Sequence, residues 1–270
     1  MSKDPSSTIV KNPWSQLRQL TSARIALGRC GTSLPTKPHL EFQLAHARAR
    51  NAVHHELNAT ALQQTLHPLG HDVVVLQSAA ESRPVYLQRP DKGRLLSEAA
   101  REKLKDRPSP AERYDVVFVI GDGLSALAIE ENAAIFLEKL LPSIRATGWR
   151  VGPIAVVTEA RVAVGDEVGG LLGADLVVVL IGERPGLSSP DSMGIYMTFK
   201  PCVGVTDESR NCISNVRAAG LSHEIAAHKL FYLMTEAKRR GYSGVLLKDE
   251  AEALPSAVTG SAKSFLIDTE

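Results

Sequence analysis

Cysteine is scarce in this sequence, with Cys30, Cys202 and Cys212 among 270 residues, no CxxC spacing and no histidine-rich neighbourhood. A structural zinc site is therefore not expected, and an odd count without an export signal points to reduced thiols in a cytoplasmic protein. An excess of charge of one sign is also missing. The 31 basic and 30 acidic residues leave a net charge of +1, which argues against nucleic acid or an anionic membrane surface as partner. No stretch approaches the roughly 18 uninterrupted apolar residues of a membrane span. The opening "MSKDPSSTIVKNPW" lacks the apolar core of a secretory signal, so residues 1–12 read as a flexible tail. Internal repeats and long low-complexity tracts are absent too.

What is present is the material of a folded core. Hydrophobic residues make up 44% and charged residues 23% of the chain, a globular profile. Two prolines and several charges interrupt the pattern in "DRPSPAERY" (106–114), where a domain boundary is expected. That divides the chain into a mainly helical N-terminal region, 1–110, and a second domain, 111–270. In the first, residues 13–28 suit a helix closed by Gly28, and 39–66 suit one long helix or two. "DVVVLQS" and "PVYLQ" read as a small β-hairpin turning across 78–83, and 91–105 reads as an amphipathic helix.

Beyond residue 114 apolar runs alternate with helical segments. "DVVFVI" (115–120), "VGPIAVVT" (151–158), "DLVVVLI" (175–181) and "MGIYMTFK" (193–200) predict four strands. Between them lie an amphipathic helix stopped by Gly148 and a short glycine-rich helix. The last helix, 222–241, has Ser222 as N-cap and Gly241 as its stop. Nearly continuous apolar strands alternating with helices predict an α/β fold, Rossmann-like, with a mostly parallel sheet covered by helices on both faces.

In such sheets ligands bind beyond the carboxyl ends of the strands. The loops "GDGLS", "EARVAVGD" and "GERPGLSSPDS" occupy those positions, and "TDESRNCISN" (206–215) reads as a further polar loop. "GDGLSA" (121–126) has Ala126 where a dinucleotide fingerprint needs its third glycine, so a tight turn capped by Asp122 or Ser125 competes with nucleotide binding. No Walker A sequence supports ATP or GTP hydrolysis. Cys212 has no catalytic signature around it, His54 and His55 face different directions on a helix, and His223 and His228 are five apart. "GERPGL" (181–187 with Ile181) is open between a turn with Glu183 and Arg184 solvated and a loop that holds a ligand or partner. "RPDKGR" (89–94) offers three cations, either solvated or paired across an interface.

Taken together, "GDGLSA", "GERPGL", "NCISN" and the upstream "LQRPDKGR" resemble the small subunit of ethanolamine ammonia-lyase, with the likeness running from "LTSARIALGRCG" (20–31) to near Gly241. The resemblance implies an enzyme that converts ethanolamine to acetaldehyde and ammonia with adenosylcobalamin, whose cobalt–carbon bond breaks to start a radical reaction. It implies a hetero-oligomer in which a large barrel subunit binds ethanolamine and this chain closes over the cofactor at their interface. Such sharing fits the lack of a catalytic constellation here. Carried over by position, the cofactor contacts are Val162 (through its backbone), Glu183 and Cys212, the last as a packing or amide contact. With no DxHxxG sequence, the cofactor is expected to keep its own benzimidazole as lower ligand. The implied location is the cytoplasm, a bacterial microcompartment included. A stand-alone Rossmann-like nucleotide-binding or scaffold protein is the competing reading.

Overall fold

The computed structural model describes residues 8–107 and 112–251. The chain begins with an arm. Strands β1 (Ile9–Val10) and β2 (Arg29–Cys30) form a small antiparallel ribbon around a 3-10 helix, Pro13–Gln19. The helix expected over 13–28 stops there, because none of its residues is buried and a short helix without tertiary packing is marginal. Helix α1 (Thr36–His54) follows and buries only Ala49 and Ala52. It ends before α2 (Ala59–Leu66), whose first turn is capped by Asn58, so the 39–66 segment is two helices.

A single six-stranded sheet organises the rest, in the order β3-β5-β4-β6-β7-β8. Strand β3 (Val73–Gln77) lies at one edge, parallel to β5 (Ile154–Thr158). "DVVVLQS" is therefore no hairpin arm, and "PVYLQ" belongs to a short helix, α3 (Arg83–Gln88). The mostly apolar "VVVLQ" finds its partner in β5, far along the chain. Helix α4 (Glu98–Lys105), capped by Ser97, leads into the central strand β4 (Tyr114–Gly121). Residues 108–111, in the expected boundary, lie outside the described residues, as do 1–7 of the expected tail.

From β4 the chain passes through α5 (Ala126–Ala146) to β5 and returns through α6 (Val164–Leu171) to β6 (Ala174–Gly182), on the other side of β4. Strands β3 to β6 are mutually parallel, whereas β7 (Met193–Phe199) and β8 (Arg210–Val216) run antiparallel at the far edge. Helix α7 (His223–Arg240) closes the fold. Ser222 Oγ accepts the Ile225 N–H, and Gly241, at φ +80°, ends the helix as expected.

Period-two alternation along the strands divides the core between the two faces. Val116, Phe118 and Ile120 of β4 pack with Leu176, Val178 and Leu180 of β6 under α2, α5 and α7. Val117 and Val119 face the other way with Val177 and Val179, under α4 and α6. Each such fully buried side chain contributes about 1.5–3 kcal/mol. The fold is the expected α/β architecture, a mostly parallel sheet with helices on both faces.

Candidate functional site: a crevice at the switch point

Because the chain leaves β4 toward one side and comes back to β6 on the other, the loops after these two strands diverge in opposite directions. This is where open α/β sheets form their ligand crevice. A cavity of about 410 Å³ lies there, lined by Tyr86, Leu124, Arg161, Val162, Glu183 and Tyr196, among others.

Its floor is backbone against backbone. The Leu124 N–H donates to the Gly182 carbonyl at 2.9 Å. A Cβ on Gly123, which sits at φ +56°, would lie 2.2 Å from that carbonyl oxygen, and one on Gly182 would lie 2.0 Å from the Ser125 oxygen. Glycine at both positions is what lets the two loops touch. Ser125, not Asp122, caps α5: its Oγ accepts the Ala128 N–H at 3.2 Å. Asp122 is fully buried and ties three segments together. It accepts from Ala160 N at 2.9 Å, Glu159 N at 3.1 Å and Arg83 Nη1 at 3.0 Å. Glu159 lies beside it at φ +54°. Burial first, then the Asp122 charge and a hydrogen bond between the two carboxyl groups, push the Glu159 pKa up to about 8.

Glu183, at the end of β6, is anchored rather than solvated. Its N–H donates to Ser192 O at 2.9 Å. Its carboxylate accepts from Ser192 Oγ at 2.5 Å, Ser214 Oγ at 2.5 Å and the Asn215 N–H at 3.2 Å. A carboxylate has about four lone-pair sites, so roughly one acceptor direction is left for a ligand. Arg184 is exposed and makes no ion pair among the described residues. In the upstream Pro-Asp-Lys-Gly segment Arg89 pairs with Asp91 at 2.7 Å, while Gly93 is buried and its carbonyl accepts the Arg161 N–H at 2.7 Å.

Val162 and Glu183 thus line one cavity. Cys212 does not line it. It lies on β8, directly across from Tyr196, which does. "TDESRNCISN" is accordingly no continuous loop, since residues 210–216 form the edge strand. Cys212 is exposed at the sheet edge, and the partial burial of its thiol shifts the pKa upward.

Sequence reasoning passed over Tyr86 and its two neighbours. The buried Tyr86 ring has the Arg83 guanidinium 5.0 Å and the Arg161 guanidinium 4.7 Å from its centroid. Its hydroxyl donates to Ala160 O at 3.0 Å. Arg161 stands inside "EARVAV", a loop correctly placed on the binding edge, but nothing in the local pattern singled it out.

Fold and crevice define a Rossmann-like α/β protein with a switch-point cavity, and no group of three or more His, Cys, Asp or Glu side chains that could hold a metal occurs among the described residues. Residues 11–248 match the family described as ethanolamine ammonia-lyase light chain (EutC). The chain is 57% identical to the ethanolamine ammonia-lyase small subunit of Azotobacter vinelandii over 97% of both chains. It is 54% identical to that of Ralstonia nicotianae over 98% of both chains. With that of Pseudomonas aeruginosa it shares 55% identity, over 93% of this chain and 92% of the relative. The chain belongs to the ethanolamine ammonia-lyase light-chain family, and so is a subunit of a lyase.

Proposed function

We propose that this chain is the small subunit of an adenosylcobalamin-dependent ethanolamine ammonia-lyase and holds one side of the cofactor against a large partner subunit. The observation that carries the reading is the Glu183 carboxylate, fixed by Ser192, Ser214 and the Asn215 N–H at the mouth of the switch-point cavity. A corrin ring bears a rim of amides, each offering donors and an acceptor. The donor set fits such a rim: Glu183 can accept one amide N–H, and Arg161 and Arg184 can donate to amide oxygens. Val162, between β5 and α6, offers backbone groups at the same wall, and Cys212 with Tyr196 continues the surface along β8.

A cavity of about 410 Å³ is the size of a small-ligand site and encloses only part of a corrin. The rest of the cofactor then lies against the large subunit, which in this reading also binds ethanolamine and carries the reacting groups, within a cytoplasmic hetero-oligomer. When bound, adenosylcobalamin supplies the radical chemistry that turns ethanolamine into acetaldehyde and ammonia. This chain's residues bind and orient the cofactor and keep water from one side of it. Nucleotide binding in a Rossmann manner has less support. The "GDGLSA" turn is filled by Gly182, and Ser125 already occupies the first turn of α5.

The test is co-expression with the large subunit and titration with adenosylcobalamin. Glu183→Ala is expected to weaken the cofactor about tenfold or more while leaving the KM for ethanolamine nearly unchanged. Acetaldehyde formation without this chain, or an unaltered cofactor affinity in the variant, would overturn the reading.

A further inference from the structure

Two guanidinium groups at the crevice have hydrogen-bonding capacity unspent among the described residues. Arg83 is 2% exposed. Its Nε donates to Val53 O at 2.8 Å and its Nη1 to Asp122 and to Gly123 O, while its buried Nη2 has no partner. Arg161 lines the cavity with its guanidinium stacked on Tyr86, and its buried Nε has no partner either. A buried N–H left unmade costs free energy, and a charged one more so.

Arg161 makes no ion pair among the described residues. Asp122 is matched by Arg83 at 3.0 Å. Glu159 keeps its proton up to about pH 8 and adds little negative charge at neutral pH. Glu183 spends most of its acceptor capacity on Ser192, Ser214 and Asn215. Arg184 adds a second, exposed cation at the rim. Arg161 is therefore held 4.7 Å over the Tyr86 ring with no ion-pair partner among the described residues, and a guanidinium fork suits two oxygens of one anion.

We propose that Arg161, held in place on Tyr86, is the binding residue for a phosphodiester, the one in the nucleotide loop of the cofactor. This rests on the cobalamin reading above and extends it from the amide rim of the ring to the cofactor's single anionic group. It assigns Arg161 a discriminating role: a corrinoid without the nucleotide loop gains nothing from it.

The test uses the complex of both subunits and follows absorbance changes on titration with cyanocobalamin and with cobinamide, which has the amide rim but no phosphodiester. Arg161→Met is expected to weaken cyanocobalamin by about tenfold or more and to leave cobinamide within about twofold. Arg161→Lys keeps a cation and the stacking position and is expected to fall between wild type and Met, which guards against a Met variant that folds poorly. Equal loss for both corrinoids, or none for either, overturns the phosphodiester role. Glu183→Ala separates the two ideas: it should weaken both corrinoids. If it weakens neither, the cobalamin reading itself fails; if it weakens both while Arg161→Met does not discriminate, only the present inference fails. Inorganic phosphate competing with cyanocobalamin in wild type but not in Arg161→Met would point to the same subsite, whereas equal competition in both would count against it.

Discussion

Arg210 and Asp166 meet fork to fork: Nη1 lies 2.6 Å from Oδ1 and Nη2 2.7 Å from Oδ2, with each side chain 2% exposed. The pair fastens the first turn of α6 to the start of β8, and Arg210 also donates to Thr198 Oγ1 and Val205 O. Removing one partner strands a buried charge. Arg210→Met is expected to cost about 3–5 kcal/mol, and the double change Asp166→Leu with Arg210→Met much less than the two single losses added. Urea unfolding midpoints of the three variants check this; a strictly additive result would mean the pair is not coupled.

Glu159 gives the fold a pH dependence of definite sign. In the native state it holds its proton up to about 8, against an ordinary 4.5. Over that window the folded chain binds more protons than the unfolded one, so this contribution to stability falls as pH rises from about 4.5 through about 8. Glu159→Gln, which imitates the protonated acid, should flatten the change in melting temperature between about pH 6 and pH 8.5. An identical slope in variant and wild type would remove Glu159 as the source.

Two glycines respond oppositely to the same substitution. In Gly182→Ala the new Cβ would sit 2.0 Å from the Ser125 oxygen, so the loops after β4 and β6 must separate. A loss of about 3 kcal/mol or more is expected, together with weaker cofactor binding. Gly170, inside α6, has its nearest prospective neighbour at 3.6 Å. Gly170→Ala should therefore stabilise the chain by about 0.5–1 kcal/mol through helix propensity. Thermal unfolding of both variants makes the comparison.

None of residues 8–34 is buried, and Trp14 and Leu20 of this arm are 67% and 61% exposed. A contact with the body of the fold is Arg24 Nη2 donating to Leu187 O at 3.4 Å. Deleting residues 1–34 should therefore move the melting temperature of the isolated chain by no more than about 2 °C. A large drop would show that the arm contributes to the core.

The sheet was legible where burial on both faces wrote uninterrupted β-branched runs, as in "DVVFVI" and "DLVVVLI". It was not legible at β8. That edge strand alternates buried Ile213 with exposed Cys212 and Ser214, and its polar residues read as loop. β3 was recognised as a strand but given the wrong partner, because a local hairpin and a distant parallel pairing look alike over five residues. At the site, position on the binding edge drew attention to the loops that carry Glu183 and Val162, and the family resemblance singled out the two residues. The groups that fix Glu183 come from elsewhere: Ser192 precedes β7 and Ser214 lies on β8. No local pattern announces contacts between such distant segments, and the Tyr86–Arg161 stack was hidden for the same reason.

The strand order also sets a timetable for synthesis. Among the described residues β3 pairs only with β5, so Val73–Gln77 leaves the ribosome with no such strand to join until residues 154–158 have followed. β4 must wait likewise for β5 or β6. At elongation rates of about 5–20 residues per second, roughly 4–16 s pass with β3 unpaired and roughly 2–7 s with β4 unpaired. The switch-point crevice, which needs β4, β6 and β7, is thus among the last features of the chain to take shape.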